Sequence, residues 1–350
     1  MDGFTKKKLL VVGGAGFVGS NLVLALLKDD PAEVLVVDNL LSAERGNVPN
    51  DPRVRFVHAS ITEEKVLANL PADLDYAWHL ATFHGNQNSI ADPISDLHNN
   101  TAPAVYLYNR LKDLKRLKKV VYSAAGCTHA EKTFDKASAT TEDAPISAWL
   151  DSPYQISKMS GEFYSNWYFK HHGLPVVKAR FQNVYGPREI LGAGEWRGTP
   201  ATVWRNVTPT FVYRALKHLA LPVENGGVAS RDFIFAEDVA RGLIACALKG
   251  EPGAAYNVAS GVETTILELA ETINRLTGNP TPIQGAPKRT WDRSGKRFGS
   301  TELSKSALGF AAQIGLEEGL ARTIAWTREQ MPMIDACIAR HQPHMARVAA

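Results

Sequence analysis

The sequence contains few of the residues that would indicate a disulfide scaffold, a structural zinc site or a membrane protein. Only three cysteines occur in 350 residues, too scattered for a disulfide framework or a zinc site: Cys127, Cys246 and Cys337. No run approaches the roughly 18 apolar residues of a membrane span, and the polar segment 1–8 is too short for a signal peptide. We therefore expect no bound metal, no membrane association and a cytoplasmic protein.

Excess charge and internal repeats are also absent. The net charge of +3 is small for 350 residues, and 45% hydrophobic with 21% charged residues is typical of a globular protein. Local basic clusters occur at 112–119 and 288–297, but the overall balance gives no argument for a nucleic-acid partner, and we predict none. A chain of this length predicts two lobes or one large α/β unit.

A glycine-rich turn lies between a predicted strand and a predicted helix near the start of the chain. Residues 9–12 are apolar, and a helical apolar period runs over 17–27. Between them, Gly14 to Gly19 fits G-x-G-x-x-G, and Gly13, Gly16 and Gly19 also recur every three residues. Glycine lets the backbone approach a pyrophosphate, whose charge is favoured by the free N–H groups of a helix start. The pattern predicts a dinucleotide site.

An aspartate at the end of the second predicted strand strengthens that prediction. The strand covers 34–37 and ends at Asp38, nineteen residues after Gly19. A carboxylate there accepts hydrogen bonds from the adenosine ribose diol and repels a 2′-phosphate. The order of strand, glycines, helix, strand and acid therefore favours NAD.

Short apolar runs continue to alternate with helical segments up to about residue 181. Further strands are predicted at 54–57, 76–80, 119–123 and 176–181, and helices at 63–70, 97–117 and 154–171. This alternation predicts an α/β fold, a Rossmann-type doubly wound parallel sheet with right-handed crossovers. Ligands of such sheets bind beyond the carboxyl ends of the strands.

The pattern changes after residue 182, where glycine, proline and tryptophan become frequent. We predict an NAD-binding domain over 1–182, to which the chain returns at 231–259. A smaller α/β lobe that binds the substrate is predicted over 183–230 and 260–350. Residues beyond Gln330 show no clear period and are expected to be partly disordered.

Tyr154 and Lys158 stand four residues apart, on one face of a predicted helix. A phenol with a pKa near ~10 is a poor base at neutral pH. An ammonium group one turn away, together with the positive nicotinamide ring, would lower that pKa, and the lysine could also bond the nicotinamide ribose. The pair follows the fifth strand, where a substrate must lie, and we predict that it carries the proton chemistry.

As an ordered set, these motifs resemble the extended short-chain dehydrogenase/reductases, in the group of nucleotide-sugar epimerases and dehydratases. The matching segments span roughly 9–310 and comprise 13–19, Asp38-Asn39, His79-Leu80-Ala81, Asn100, Tyr154 with Lys158, 180–187 and 231–233. The resemblance implies tightly bound NAD and transient oxidation of a sugar carbon. It also implies a homodimer built on the helices near 97–117 and 154–172.

The resemblance further implies which residues contact the ligands. Those toward NAD are Gly13, Gly16, Phe17, Val18, Asp38, Asn39, Ser60, Ile61, Leu80, Ala81, Asn100, Tyr154, Lys158 and Phe181. Those toward a nucleotide-sugar substrate are Asn183, Asn206, Val207, Arg231, Arg289 and Asp292. A helix start at 206–207 and the arginine forks suit the oxygens of a diphosphate.

The sequence departs from the family pattern at three points. Ser60 stands where an acidic residue near the adenine is usual. Ala124 or Ala125 stands where relatives carry a Ser or Thr that bridges the tyrosine and the sugar, so either Ser123 or Thr128 substitutes or the tyrosine acts without that bridge. No carboxylate lies between residues 123 and 130, which disfavours a dehydratase.

These features predict an NAD-dependent nucleotide-sugar epimerase that forms a transient 4-keto sugar, most simply inverting C4, with Tyr154, Lys158, Ser123 and Cys127 as catalytic residues. A 3,5-type epimerase would use Cys127, because a thiol with an ordinary pKa near ~8.5 is suited to proton transfer beside a ketone. A uronate decarboxylase would need a cation, such as Arg188 or Arg197. A non-catalytic NAD-binding regulator is the alternative from another class, supported by the missing hydroxyl.

Overall fold

The computed structural model describes residues 3–129, 133–288 and 295–349. Its strands are β1 (Lys8–Val12), β2 (Glu33–Asp38), β3 (Val54–His58), β4 (Tyr76–His79), β5 (Lys119–Ala125), β6 (Ala139–Thr140), β7 (Val176–Phe181), β8 (Asn183–Tyr185), β9 (Pro222–Glu224), β10 (Ser230–Phe235), β11 (Ala255–Val258), β12 (Glu263–Thr265), β13 (Gln284–Ala286) and β14 (Phe298–Gly299). Its α-helices are α1 (Phe17–Leu26), α2 (Glu64–Ala68), α3 (Asn86–Ala91), α4 (Pro93–Asp96), α5 (Ala102–Leu111), α6 (Pro153–His172), α7 (Val207–Leu216), α8 (Ala236–Lys249), α9 (Ile266–Thr277), α10 (Glu302–Leu308), α11 (Leu316–Glu329), α12 (Met331–Arg340) and α13 (Gln342–Ala349).

The main sheet has seven strands in the order β11-β7-β5-β4-β1-β2-β3. Every pair of neighbours in it is parallel. From β1 the chain builds outward through β2 and β3, then crosses to the other side of β1 to form β4 and β5. The prediction of a doubly wound Rossmann-type α/β fold is confirmed. A crevice for a ligand is expected where the strand order reverses, at the carboxyl ends of β1 and β4.

Alternate residues of the central strand β1 point to opposite faces of this sheet, and both faces are buried there. Leu9 and Val11 of β1 belong to a core that includes side chains of α1 and α8. Leu10 and Val12 belong to a second core, which includes Leu107 of α5 and other side chains of α5 and α6. The glycine turn and the helix start are therefore fixed by packing on either side.

The rest of the chain forms smaller sheets around a separate core. β10 pairs in parallel with β8 and antiparallel with β12, so it lies in a three-stranded sheet. Within the segment 231–259, α8 packs against α1 and β11 forms the edge of the main sheet. Phe211 of α7, Ile273 of α9 and Ile324 of α11 lie in the core beneath the smaller sheet. The division of the chain into two domains stays a prediction.

The prediction of one regular helix over 97–117 is wrong, because the segment is not regular and its helix ends earlier. A π-helical turn occupies Leu97–Thr101, and α5 ends at Leu111, where the N–H of Leu114 turns back to the Leu111 carbonyl (3.0 Å). The π turn widens the helix at Asn100, whose side chain bonds to the loop after β4 rather than facing solvent. Such turns are frequent at functional sites.

The expectation that residues beyond Gln330 are partly disordered is also wrong. The chain there forms α12 and α13, and Pro332 stands in the first turn of α12. Ile334, Cys337 and Ile338 recur at helical spacing and pack against Ile190 and neighbouring apolar side chains. This packing ties the C-terminal segment to the loop that follows β8.

Candidate active site

A cleft of about 650 Å³ lies at the carboxyl ends of β1, β4, β5 and β7 and extends over β8 and the start of α7. Most residues predicted to form the site line this cleft. They are Gly13, Gly16, Phe17, Val18, Asp38, Asn39, Leu80, Ala81, Ser123, Cys127, Tyr154, Lys158, Phe181, Asn183, Asn206, Val207 and Arg231. Ser60 and Ile61 line a small hollow beside Asp38, and Asn100 is buried behind the cleft.

The glycine turn brings the backbone close to a second loop. Gly13 has a φ of +85°, and a Cβ there would lie 2.4 Å from the backbone nitrogen of Ala81. A Cβ on Gly19 would lie 2.1 Å from the Gly13 carbonyl oxygen. α1 begins at Phe17 with no side-chain cap from Gly16 and no acidic residue in its first turn. Its first N–H groups therefore face the cleft as a site for an anion.

Asp38 is held at the end of β2 by two backbone hydrogen bonds. The N–H of Ala15 donates to its Oδ2 (3.0 Å), and the N–H of Leu40 donates to its Oδ1 (2.9 Å). Burial raises the pKa of this carboxyl, and the backbone hydrogen bonds oppose that rise. The carboxylate thus links the glycine turn to β2 while it lines the cleft. This fits the ribose position of a dinucleotide.

Ser60, at the position where the family has an acid, uses its hydroxyl within its own loop. Its Oγ lies 2.7 Å from Thr62 Oγ1 and accepts a hydrogen bond from the Thr62 N–H at 3.2 Å. The side chain therefore lines the hollow beside Asp38 without adding a negative charge there.

Tyr154 and Lys158 lie together in the first turns of α6, which Ser152 caps through its side chain. Lys158 Nζ is 5.8 Å from the centre of the Tyr154 ring. Burial lowers the pKa of Lys158 to about 8, against the opposing charges of Asp96 and Cys127. Burial raises the pKa of the Tyr154 phenol, and the nearby polar side chain of Thr82 partly offsets this. Lys158 by itself, without the cofactor, therefore does not produce the lowering of the Tyr154 pKa that we expected.

A hydrogen-bonded chain behind Tyr154 was missed in the sequence. Thr82, which follows β4, lies beside Tyr154 and donates its hydroxyl proton to Asn100 Oδ1 (2.8 Å). Asn100 Nδ2 in turn donates to the buried Asp96 (2.6 Å), which also accepts from the Ser157 hydroxyl (2.5 Å). The only available signal was the place of Thr82 directly after His79-Leu80-Ala81.

The stretch after β5 resolves part of the question of the missing hydroxyl. Ala124 and Ala125 line the cleft, whereas Thr128 is buried and donates its hydroxyl to the Ala125 carbonyl (2.7 Å). Thr128 therefore does not substitute for the family's bridging residue. Ser123 lines the cleft, but its Oγ accepts a hydrogen bond from Lys158 Nζ (3.1 Å). Cys127 lies in the turn Gly126–Thr128 and faces the cleft.

The far part of the cleft combines a helix start with several cations. α7 begins at Val207 with no side-chain cap from Asn206. Arg214, Arg231 and Arg297 line the cleft near it, and the first and last of these were not predicted. Arg289 and Asp292, which the resemblance implied for substrate binding, lie outside the described residues.

A second polar cluster was also missed in the sequence. His84 comes from the loop after β4, and Glu189 and Arg205 come from the loop between β8 and α7; all three line the cleft between the tyrosine and the start of α7. Arg188 and Arg197, the cations considered for decarboxylation, are not among the lining residues. Arg188 donates to Ser20 and to the Asn47 carbonyl, and Arg197 donates to the carbonyls of Leu41 and Thr202.

Two kinds of feature are absent from the part of the chain that the structure describes. No helix within these ranges is both long and apolar enough to cross a bilayer. Across the same residues, no group of three or more His, Cys, Asp or Glu side chains is placed to hold a metal ion.

Comparisons with known proteins agree on a family and differ in the reaction. The model of a family described as NAD dependent epimerase/dehydratase matches residues 9–259. A dTDP-glucose 4,6-dehydratase from Actinoplanes sp. is 31% identical over 338 residues, covering 92% of this chain and 98% of that protein. A UDP-glucose 4-epimerase from Mycolicibacterium smegmatis is 30% identical over 328 residues, covering 92% of this chain and 99% of that protein.

One solved structure is similar over nearly its whole length. It is the Bordetella bronchiseptica enzyme WbmF in complex with NAD+ and UDP. The two chains are 56% identical, the comparison covers 98% of each, and the TM-score is 0.88.

Proposed function

The chain belongs to the NAD-dependent epimerase/dehydratase family, and we propose that it is a nucleotide-sugar epimerase that inverts C4 through a transient 4-keto sugar. The family predicted from the sequence is confirmed, and with it NAD as the cofactor. The observation that carries the finer proposal is the position of Tyr154 and Lys158 in the same cleft as two uncapped helix starts, those of α1 and α7.

The residues of the cleft fit NAD. The uncapped start of α1 suits the diphosphate, Asp38 suits the adenosine ribose, and Lys158 suits the nicotinamide ribose. Bound NAD would supply the reversible two-electron oxidation of the sugar carbon. Phe181, at the end of β7, would border the nicotinamide and limit access of water.

In this proposal Tyr154 moves the proton of the sugar hydroxyl. It takes the proton of the C4 hydroxyl as C4 becomes a ketone, and returns it after the sugar has turned and C4 is reduced on its opposite face. Lys158 contributes positive charge beside the phenol, and Thr82 orients the tyrosine hydroxyl. Because Tyr154 recovers its original state, simple inversion needs no second base.

The substrate's diphosphate would bind at the start of α7 and to Arg231. Val207 supplies a free N–H at the positive end of the helix dipole, and the Arg231 guanidinium lines the same region. Arg289 and Asp292 complete this set as expectations from the family. The homologous UDP complex supports a nucleoside diphosphate as the anchor.

Inversion at C4 is favoured over dehydration by the groups that border the cleft after β5. Over 123–129 the chain carries no carboxylate, whereas the resemblance implies that a dehydratase carries its acid and base in this segment. A 3,5-type epimerase is the second candidate, because Cys127 faces the cleft near Tyr154 and Lys158. Decarboxylation receives no support from Arg188 or Arg197, since neither lines the cleft.

Proton NMR in D2O tests the proposal. The NAD-loaded protein is incubated with UDP-, GDP-, CDP- and dTDP-sugars, and products and deuterium content are recorded at each carbon. C4 inversion without carbon-bound deuterium, abolished in Tyr154→Phe, is the expected result. Deuterium at C3 or C5 that disappears in Cys127→Ser would instead support the 3,5 route. Bound NAD without turnover of any sugar would support a non-catalytic regulator.

We also propose that the protein is a homodimer. Large apolar side chains remain exposed along the outer faces of α5 and α6, including Tyr106, Ile156, Phe163 and Trp167, with exposures of 51%, 55%, 56% and 47%. Such a patch suits the same face of a second copy. Light scattering of the wild type should give a dimer, and Phe163→Asp a monomer. A monomeric wild type would contradict this.

A further inference from the structure

Glu189 is a buried carboxylate with one oxygen left over. It follows the strand β8 and is only 4% exposed. Its Oε1 accepts a hydrogen bond from Asn206 Nδ2. Its Oε2 is buried and has no hydrogen-bond partner in the described part of the chain. Because burying a carboxylate oxygen without a partner is costly, this atom calls for a donor that the described residues do not provide.

Arg205, the arginine whose charge acts on Glu189, does not donate a hydrogen bond to this oxygen. Arg205 lowers the pKa of Glu189 by its charge, yet the described residues include no ion pair between the two. Instead, the two terminal nitrogens of Arg205 donate to the carbonyls of Ser42 (2.8 Å) and Ala193 (2.5 Å). Burial raises the pKa of Glu189 to about 7 in spite of Arg205 and the Asn206 hydrogen bond. The backbone thus holds Arg205 away from the carboxylate.

Glu189 is connected to the tyrosine through side chains that line one cleft. Asn206 Oδ1 lies 3.3 Å from His84 Nε2, and the His84 ring lies 6.4 Å from the Tyr154 ring, centre to centre. Burial, followed by the charges of Arg205 and Arg197, lowers the pKa of His84 to about 3, so the ring is neutral and its Nε2–H donates to Asn206. The space between Tyr154 and Glu189 is therefore bordered by fixed polar groups.

We propose that Glu189 is a specificity-determining residue whose Oε2 accepts a hydrogen bond from a hydroxyl or amide N–H of the bound sugar and disfavours sugars that carry a carboxylate. This rests on the proposed function, because it assumes that a nucleotide sugar occupies the cleft. A sugar hydroxyl satisfies the spare oxygen. A sugar carboxylate would place two acceptors against each other, and the Arg205 Nε–H, which has no partner among the described residues, would offset this repulsion only in part.

Binding of UDP, UDP-glucose and UDP-glucuronate to the NAD-loaded enzyme tests this by calorimetry at about pH 8.5, where Glu189, with a pKa of about 7, is a carboxylate. In the wild type, UDP-glucose should bind more tightly than UDP-glucuronate. In Glu189→Gln the amide nitrogen replaces the spare oxygen with a donor, so UDP-glucose should weaken roughly 10- to 100-fold and UDP-glucuronate should gain, while UDP is unchanged. Glu189→Asp, which shortens the side chain but keeps its charge, should weaken UDP-glucose and leave UDP-glucuronate disfavoured.

Glu195→Gln is the matched control, because Glu195 is an exposed acid in the same loop. It should leave all three affinities unchanged. The inference would be overturned if wild type and Glu189→Gln showed the same preference between UDP-glucose and UDP-glucuronate. It would also be overturned if the wild type bound these two sugars equally or bound neither. The proposed function fails on a different observation, the lack of turnover of any nucleotide sugar, so the two outcomes are distinguishable.

Discussion

Lys158 Nζ donates hydrogen bonds to both the carbonyl (2.9 Å) and the hydroxyl (3.1 Å) of Ser123, and so fastens α6 to the end of β5. The ammonium group is fixed by the main chain as well as by the side chain. The Ser123 hydroxyl is therefore one of two anchors for the lysine. The threonine that neighbours the Tyr154 phenol is Thr82.

Ser123→Ala should consequently have a small effect. The lysine keeps its bond to the Ser123 carbonyl, and the loss of one hydrogen bond corresponds to roughly a fivefold decrease in kcat. Steady-state kinetics with the nucleotide sugar identified by NMR would measure this. A decrease of several hundredfold would indicate that the Ser123 hydroxyl contacts the reacting sugar after all.

Thr82→Val should be the more damaging substitution. Valine has nearly the same shape, so the change removes the hydroxyl beside Tyr154. It also leaves the Phe83 N–H (2.7 Å) as the remaining donor to Asn100 Oδ1 of the two seen in the described residues. We expect kcat to fall roughly 100-fold with little change in KM, because the tyrosine loses its orientation rather than the sugar its binding site. A smaller loss than that of Ser123→Ala would contradict the role given to Thr82.

The sequence was most informative where the chemistry lies within one local segment. The glycine turn, α1 and Asp38 fall within thirty residues, and their spacing alone predicts a backbone that packs against itself and leaves N–H groups free. Tyr154 and Lys158 were predictable for the same reason, because they lie one helical turn apart in one local segment. The structure confirms the doubly wound sheet that these local units build.

The polar cluster of the sugar end was not predictable in this way. His84, Glu189 and Arg205 are separated by more than a hundred residues from first to last, and none stands in a motif. They meet only because the loop after β8 folds back over the end of β4. The role of Thr82 was also not predictable, because it depends on the π-helical turn that places the Asn100 side chain against Thr82. The prediction of partial disorder beyond Gln330 was wrong because the apolar positions there are few, and the residues against which they pack lie about 140 residues earlier in the chain.

Asp38 should determine the choice of cofactor. Its carboxylate is held in place by the N–H groups of Ala15 and Leu40, so it cannot turn away from a 2′-phosphate. The wild type should bind NAD and reject NADP. Asp38→Asn should weaken NAD about tenfold or more, because charge-assisted hydrogen bonds are lost, and should narrow the preference over NADP. Fluorescence titration with both reduced cofactors would measure this, and tight NADP binding by the wild type would contradict it.

Glu162 should give the fold a dependence on acid pH. It is buried and accepts hydrogen bonds from Arg180 Nε (2.9 Å) and Nη2 (2.8 Å). Burial would raise the pKa of Glu162, but the hydrogen bonds and charge of Arg180, together with His129 nearby, lower it to about 2, below the 4.5 of an exposed glutamate. The folded state therefore binds fewer protons than the unfolded state. The stabilisation, on the order of 3 kcal/mol, is complete above about pH 5 and is lost as the pH falls toward 2.

Denaturant unfolding between pH 7 and pH 3 would test this with Glu162→Gln. The variant should be less stable at pH 7, because the Arg180 charge is left buried, and its stability should decline less steeply in acid. Glu317→Gln is the control, since the ion pair of Glu317 with Arg275 is exposed and should contribute little. Parallel pH curves for wild type and Glu162→Gln would show that another group causes the decline.

The C-terminal helix α12 should support substrate binding through the loop after β8. Ile338 is 6% exposed and belongs to the same apolar cluster as Ile190, Leu191 and Val203, within the segment that carries Glu189 and Arg205. Near Ile338, His341 Nε2 meets the Gly192 carbonyl at 2.9 Å. Ile338→Ala should cost about 2 kcal/mol of stability by leaving a cavity. It should also raise KM severalfold with kcat nearly unchanged, because the loop loosens while Tyr154 stays in place.

Val348→Ala, at a 54% exposed position of α13, is the control and should change neither stability nor KM. If Ile338→Ala is destabilised but its KM is unchanged, α12 does not support substrate binding.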